Sequence, residues 1–276
     1  MPEPISSSQP VSRTPWSRRL FRRIKSSALR PEPAYRLYLR LKFGTGRPAA
    51  APKPPLPNGV LKNRAEWQQM LNAAKAARLP LHRGAEKNWD HLAAVFAILR
   101  STTDSARVLD AGAEFYSNVL PALFAYGYRN LYGINLSFTE EARRGPIRYL
   151  PGDITRTIFP DGYFDAVACM SVIEHGVPLE GYLREMYRVL KPGGLLITST
   201  DYYPTAIDTT GRMAHGAAIK IFTKAEIQEI LRLAQSVGFE STGEVDLECS
   251  ERPVRWDKFD LDYTFVIFTL RKPLTS

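Results

Sequence analysis

The chain has 276 residues, 44% of them hydrophobic, and carries 37 Lys plus Arg against 28 Asp plus Glu, a net charge of +9. That apolar content suffices for one good-sized core plus an extension. The two cysteines, Cys169 and Cys249, exclude a disulfide framework and sit in no zinc spacing. No run reaches the apolar length that spans a bilayer and the N-terminus lacks the apolar stretch of a secretory signal, so a cytoplasmic protein is expected.

The charge is uneven. Residues 1–64 hold 14 Lys plus Arg against 2 Glu, which leaves the remainder slightly acidic. Residues 1–58 are rich in Pro and Ser and close with APKPPLPNG, which predicts a poorly ordered basic extension and linker ahead of a folded domain over residues 59–276. Within it, PWSRRLFRRIKSSAL places Trp16, Leu20, Phe21, Ile24 and Ala28 on one side of a helix, with Arg18, Arg19, Arg22, Arg23 and Lys25 around them. That pattern fits an anionic membrane surface; a solvated basic tail and an organelle transit peptide share it. Nucleic acid is a weaker expectation, because the folded part is acidic.

The globular pattern begins with Asn63 and Glu66, spaced as a capping box, and a helix with Trp67, Met70, Leu71 and Ala74 on one stripe. A second helix opens at EKNWDH (Glu86 to His91), where Lys87, Asn88 and Trp89 are placed to roof a ligand site, and carries Trp89, Leu92, Ala93, Phe96 and Leu99. VLDAGAEFYS (Val108 to Ser117) then reads as a buried strand that ends in an acid, turns at Gly112 and opens a helix. A carboxylate at the end of an apolar strand is costly unless something donates to it, and in open α/β sheets ligands sit beyond the carboxyl ends of the strands. The stretch lacks the G-x-G-x-x-G of a nicotinamide fingerprint, so a donor-rich cofactor is expected at Asp110.

Further strands follow at NLYGINLS, ending at Asn135; at IRYLPGDI, ending near Asp153; at YFDAVACMS, ending near Ser171; and at GLLITST. Helices are predicted over LEGYLREMYRVL, stopped by KPGG, and after Thr223, where Thr223 and Glu226 form a capping box. FESTGEVDLEC and DYTFVIFTLRK read as an antiparallel edge pair. Alternating strands and helices imply an α/β fold with a doubly wound sheet.

VLDAG, GINLS, GDI with FPDGYFDAV, SVIEH and EMYRVLKPGGLLITST, in this order and spacing, resemble the class I S-adenosylmethionine-dependent methyltransferases, most closely the bacterial small-molecule group, over about residues 84–271. The resemblance implies a Rossmann-like seven-stranded sheet with the last strand antiparallel and S-adenosylmethionine across the strand ends. By position it puts Asp110, Gly112 and Glu114 at the methionine part of the cofactor. Asn135 stands where an acid usually takes the ribose hydroxyls, Asp153 and Ile154 face adenine, and Ser171 lies near the sulfonium. Glu114 and Tyr116 replace glycines common in the family's loop, and Asn135 offers a single carbonyl acceptor.

Methyl transfer is an in-line displacement, so the protein has to align donor and acceptor, and a hydroxyl acceptor needs help losing its proton. The candidate bases are Asp201, His175 and His215, with Glu174 and Asp208 nearby in sequence. A metal is not expected, because the position that would complete a Glu174–His175 cluster is Ser171. Tyr202, Tyr203 and SERPVRWDKFD (Ser250 to Asp260) are candidates for an acceptor pocket, and DTTGRMAHG for a segment that folds over it. The expected activity is methylation, by preference O-methylation, of a small-molecule or glycan-type acceptor. The alternative is a catalytically degenerate binding or scaffold protein of the same fold, working through its basic tail.

Overall fold

A computed structural model describes residues 27–46, 48, 54–214 and 216–274. The elements, in chain order, are α1 (Glu32–Phe43), β1 (Gly59–Val60), α2 (Arg64–Ala76), α3 (Asn88–Ser101), β2 (Arg107–Ala111), α4 (Val119–Ala125), β3 (Asn130–Asn135), β4 (Ala142–Arg144) and β5 (Ile147–Pro151). There follow β6 (Phe164–Met170), α5 (Leu179–Val189), β7 (Leu190–Tyr202), β8 (Met213–Ala214), β9 (Ala217–Ala218), α6 (Lys224–Val237), β10 (Glu240–Ser241), β11 (Val254–Trp256) and β12 (Leu261–Arg271).

The main sheet runs β1-β12-β7-β6-β2-β3-β5-β4, with β10 and β11 pairing β12. Strands β7, β6, β2, β3 and β5 are parallel, and β12 lies antiparallel to β7 over eight residue pairs. This is the Rossmann-like sheet with its last long strand antiparallel. FESTGEVDLEC forms less strand than its sequence predicts: only Glu240–Ser241 pairs with β12, and the loop that follows crosses to Asn58 and β1 instead.

Period-two alternation sorts the central strands into two faces. Val108, Ala166, Ala168 and Ile197 pack under α1 to α4, and Leu109, Val167, Cys169 and Leu196 pack against α5 and α6. Both faces are covered, so these strands read as continuous apolar runs. The same parity turns Asp110 toward the Val108 face, beneath the α3 and α4 layer. Thr223 and Glu226 make the reciprocal cap of α6. Asn63 caps α2 through the Glu66 amide, but Glu66 answers to the Lys62 N–H instead of that of Asn63.

Two expectations need correction. The folded body begins well before residue 59: α1 buries Tyr35 and Leu39, Tyr35 stacks on Phe124, and the Gly145 N–H donates to the Leu29 carbonyl. A helix whose tyrosine fills the core is part of the domain, whatever the composition around it. Strand β7 also runs past LLITST to Tyr202, because Asp201 and Tyr202 pair with Phe265 and Thr264 of β12. Asp201 is therefore a strand residue, not part of a loop. His215 and most of the Trp16 to Ala28 stripe lie outside the described residues.

Candidate active site

The carboxyl ends of β2, β3, β5, β6 and β7 open into a cavity of about 840 Å³. Gly112, Glu114, Asn135, Asp153, Ile154, Ser171, Glu174, His175 and Asp201 all line it, joined by Lys87, Met170, Trp256 and Tyr263. Asp110 is not on the wall. Its carboxyl is 3% exposed, and Oδ2 has no hydrogen-bond partner among the described residues. Burial alone pushes it up to about 7.

Gly112 explains how backbone comes so close to the cavity. Its φ of +93° suits glycine, and an added Cβ would lie 2.4 Å from Val172. Asn135 fastens this turn to β3: its Nδ2 donates to the Gly112 carbonyl at 3.0 Å and its Oδ1 accepts from the Ser137 N–H at 2.8 Å. Both ends of the amide are thus committed to backbone. A carboxylate stands beside it all the same, because Ser137 Oγ donates to Glu114 Oε1 at 2.8 Å. Asp153 Oδ1 closes a turn by accepting from the Thr155 N–H and hydroxyl, both at 2.8 Å.

The opposite wall is a buried charged cluster. Lys87, at the start of α3, donates to Ser171 Oγ at 2.6 Å and to Asp201 Oδ1 at 3.2 Å, and its ammonium lies 4.0 Å from the centre of the Phe265 ring. Ser171 holds a φ of +53°, so this lysine binds a strained strand end. Thr200 Oγ1 donates to Glu174 Oε2, and Ser199 Oγ to Asp90 Oδ2 at 2.6 Å. Burial pushes Glu174 up to about 8, with the Asp201 charge adding to it, so Glu174 is protonated at neutral pH. Burial also holds Asp201 above the usual carboxylate range, and the Lys87 ammonium opposes that without cancelling it. Burial works to lower Lys87, and Asp201, Asp90 and Glu174 outweigh it. The Tyr263 phenol is held protonated by burial and by Asp201 and Glu174 nearby.

The segment that carries Lys87 is fixed by one side chain. Asn88 Nδ2 donates to the carbonyls of His82, Gly84 and Ala85, and Asn88 Oδ1 accepts from the His82 N–H and from Asn118 Nδ2. Burial holds His82 down to about 4 and His91 down to about 3, so both imidazoles are neutral.

Of the candidate bases, Asp201 and His175 share the cavity wall with Glu174, whereas Asp208 lies outside it, with Oδ1 closing a surface turn onto the Thr210 N–H. Tyr202 and Tyr203 do not line the cavity: the Tyr202 hydroxyl donates to the Leu247 carbonyl, and Tyr203 packs under Arg252. The Ser250 to Asp260 segment does contribute, through Arg255 and Trp256. Tyr263 and Asp90 had no signal in strand patterning, although an aspartate in the otherwise apolar helix NWDHLAAVFAIL marks a buried partner.

The buried acids set a pH dependence whose sign follows from linkage. Asp110 has an ordinary value of 3.8 and is held near 7 in the folded chain, so the unfolded state loses its proton first as pH rises. Stability from this group is complete below about pH 4 and is lost as pH climbs toward 7. Glu174 adds to the slope up to about pH 8. Urea unfolding midpoints should fall from pH 5 to pH 8, and Asp110→Asn should flatten that fall; equal slopes in both proteins would show that Asp110 is not buried as an acid.

Residues 109–198 match the family described as "Methyltransferase domain". Among curated proteins, a sterol 24-C-methyltransferase of Neurospora crassa is 32% identical over 118 residues, 41% of this chain and 31% of that protein. A sterol 24-C-methyltransferase of Yarrowia lipolytica is 32% identical over 118 residues, 40% of this chain and 30% of that protein. The chain thus spans about a third of the length of the curated relatives it matches. Among solved structures, the [4+2]-cyclase SpnF aligns with a TM-score of 0.50 at 17% identity, covering 76% of this chain and 94% of that one, a likeness of fold.

Proposed function

We propose that the chain, whose residues 109–198 match a methyltransferase domain, is a class I S-adenosylmethionine-dependent methyltransferase that transfers a methyl group from S-adenosylmethionine to a hydroxyl of a small-molecule acceptor. The observation that carries this reading is one cavity lined both by Gly112, Glu114, Asp153 and Ile154 and by the charged cluster of Lys87, Glu174 and Asp201. When bound, S-adenosylmethionine supplies an electrophilic methyl group. The residues present fit such a group: a glycine turn with no room for a Cβ and exposed acceptor oxygens on Asp153. Glu114 offers the ribose carboxylate that Asn135 does not, and Ile154 adds an apolar surface for the base. Asp201 receives the proton of the acceptor hydroxyl, neutral Glu174 donates toward the acceptor, and Trp256 with Met170 excludes water. Relatives named for sterols, together with Leu136, Met170, Val172, Val177 and Trp256 in the cavity lining, favour a lipid-like acceptor over a glycan.

Asn135 favours a second reading, a cofactor-binding protein without turnover, since both ends of its amide are engaged by backbone. Calorimetry tests the shared premise first. S-adenosylmethionine should bind with one-to-one stoichiometry, and Asp153→Ala should weaken it by about 1 to 3 kcal/mol, the worth of a charge-assisted hydrogen bond. A folded protein that gives no binding heat at millimolar cofactor sinks both readings; binding without methyl transfer to any hydroxylated lipid leaves the second.

A further inference from the structure

The outward face of α1 is unlike the rest of the surface. Leu37 and Leu41, one turn apart, are 56% and 79% exposed, while Tyr35 and Leu39 on the inner face fix the helix to the core. Two large aliphatic side chains on one helical turn form a wedge held at a set angle, not a fraying end. Cations surround them. Arg30, Arg40 and Arg78 have no ion-pair partner among the described residues, and Lys42 lies against Tyr38 and Phe43, its stem along apolar surface. Among the described residues the acid paired with this group is Glu32, and it is already shared by Arg36 and Arg129.

Beside the helix runs a groove of about 300 Å³, with Leu39, Phe124 and Ala125 on its floor and Arg36 and Arg40 on its rim. An apolar floor between two guanidiniums matches the boundary between an acyl chain and a phosphate headgroup. In sequence, the 26 residues ahead of Ser27 add Arg18, Arg19, Arg22, Arg23 and Lys25 together with Trp16, Leu20, Phe21 and Ile24. We propose that the outer face of α1 docks the protein on an anionic phospholipid bilayer, with Leu37 and Leu41 entering the acyl boundary and Arg36, Arg40 and Lys42 meeting the phosphates. Nucleic acid would be met by the cations but has no use for the two projecting leucines. This surface lies outside the cavity, so the proposal stands whether or not the methyl-transfer reading does.

The test is co-sedimentation of the full chain with vesicles of phosphatidylcholine alone or mixed with phosphatidylglycerol. Binding is expected only to the anionic vesicles, with release at high salt. Leu37→Glu with Leu41→Glu should weaken it by about tenfold or more, since it removes the inserting groups and adds repulsion. Both positions are exposed, so the thermal midpoint should not move, and Arg40→Glu alone should weaken binding less. Undiminished binding of the double variant would overturn the docking face and leave attachment to the preceding basic segment. Equal binding to neutral vesicles, or no vesicle binding with a dimer that the double variant breaks, would also overturn it, the latter in favour of a contact between copies. A truncation at Pro57 is unsuited to the question, because it removes Tyr35 and Leu39 from the core.

Discussion

Asp201→Asn should leave affinity for S-adenosylmethionine near the wild-type value and lower turnover about 100-fold or more, the usual worth of a positioned general base. The two carboxyl groups of the cluster differ in what surrounds them. Glu174 is buried, with Thr200 Oγ1 and its own backbone N–H donating to it, and is pushed up to about 8, whereas Asp201 has the Lys87 ammonium at 3.2 Å. The Lys87 ammonium favours the carboxylate form at Asp201 over that at Glu174, which makes Asp201 the better placed of the two to take a proton. Glu174→Gln replaces a neutral acid by a neutral amide and should cost much less. His175→Ala is the third arm, since its ring shares the wall and its charge would act on Asp201. If Glu174→Gln or His175→Ala loses more turnover than Asp201→Asn, with cofactor binding intact in each, the base has been misassigned.

Lys87→Met should be the most destabilising single change in the cavity wall. The lysine side chain is 20% exposed and that of Asp201 4%, so the pair is largely out of water. Removing one partner leaves Asp201 without its cation and Asp90 without the charge that opposes its burial, which costs about 3 kcal/mol or more for a buried pair. Ser171, strained at a φ of +53°, loses the donor that holds it. Urea unfolding of Lys87→Met, Asp201→Asn and the double variant closes a thermodynamic cycle. The double variant should recover part of the loss, because the stranded charge is gone. Strictly additive losses would mean that the two side chains do not act as a pair, and Lys87 would then be a solvated neighbour of the cavity.

Taken by itself, the sequence determined the order and type of the long elements, because they are encoded locally. Apolar runs such as VLDA and DAVACM bury on both faces, the stripe of α6 has a Thr223 and Glu226 cap, and the acid and glycine at Asp110 and Gly112 mark a strand end. It also singled out Gly112, Glu114, Asn135, Asp153, Ile154, Ser171, His175 and Asp201, spread over 90 residues of chain, which all line one cavity, since parallel strands bring all their carboxyl ends to the same edge of a sheet. What only the tertiary structure decided rests on partners far apart in the chain. Pairing with β12 made Asp201 a strand residue, and a lysine 114 positions away gave it its charge. Burial under the α3 and α4 layer left Asp110 off the cavity wall. Tyr35, packed on Phe124, drew α1 into the core from a stretch whose composition reads as linker. Composition averages over neighbours in sequence, and burial is settled by neighbours in space.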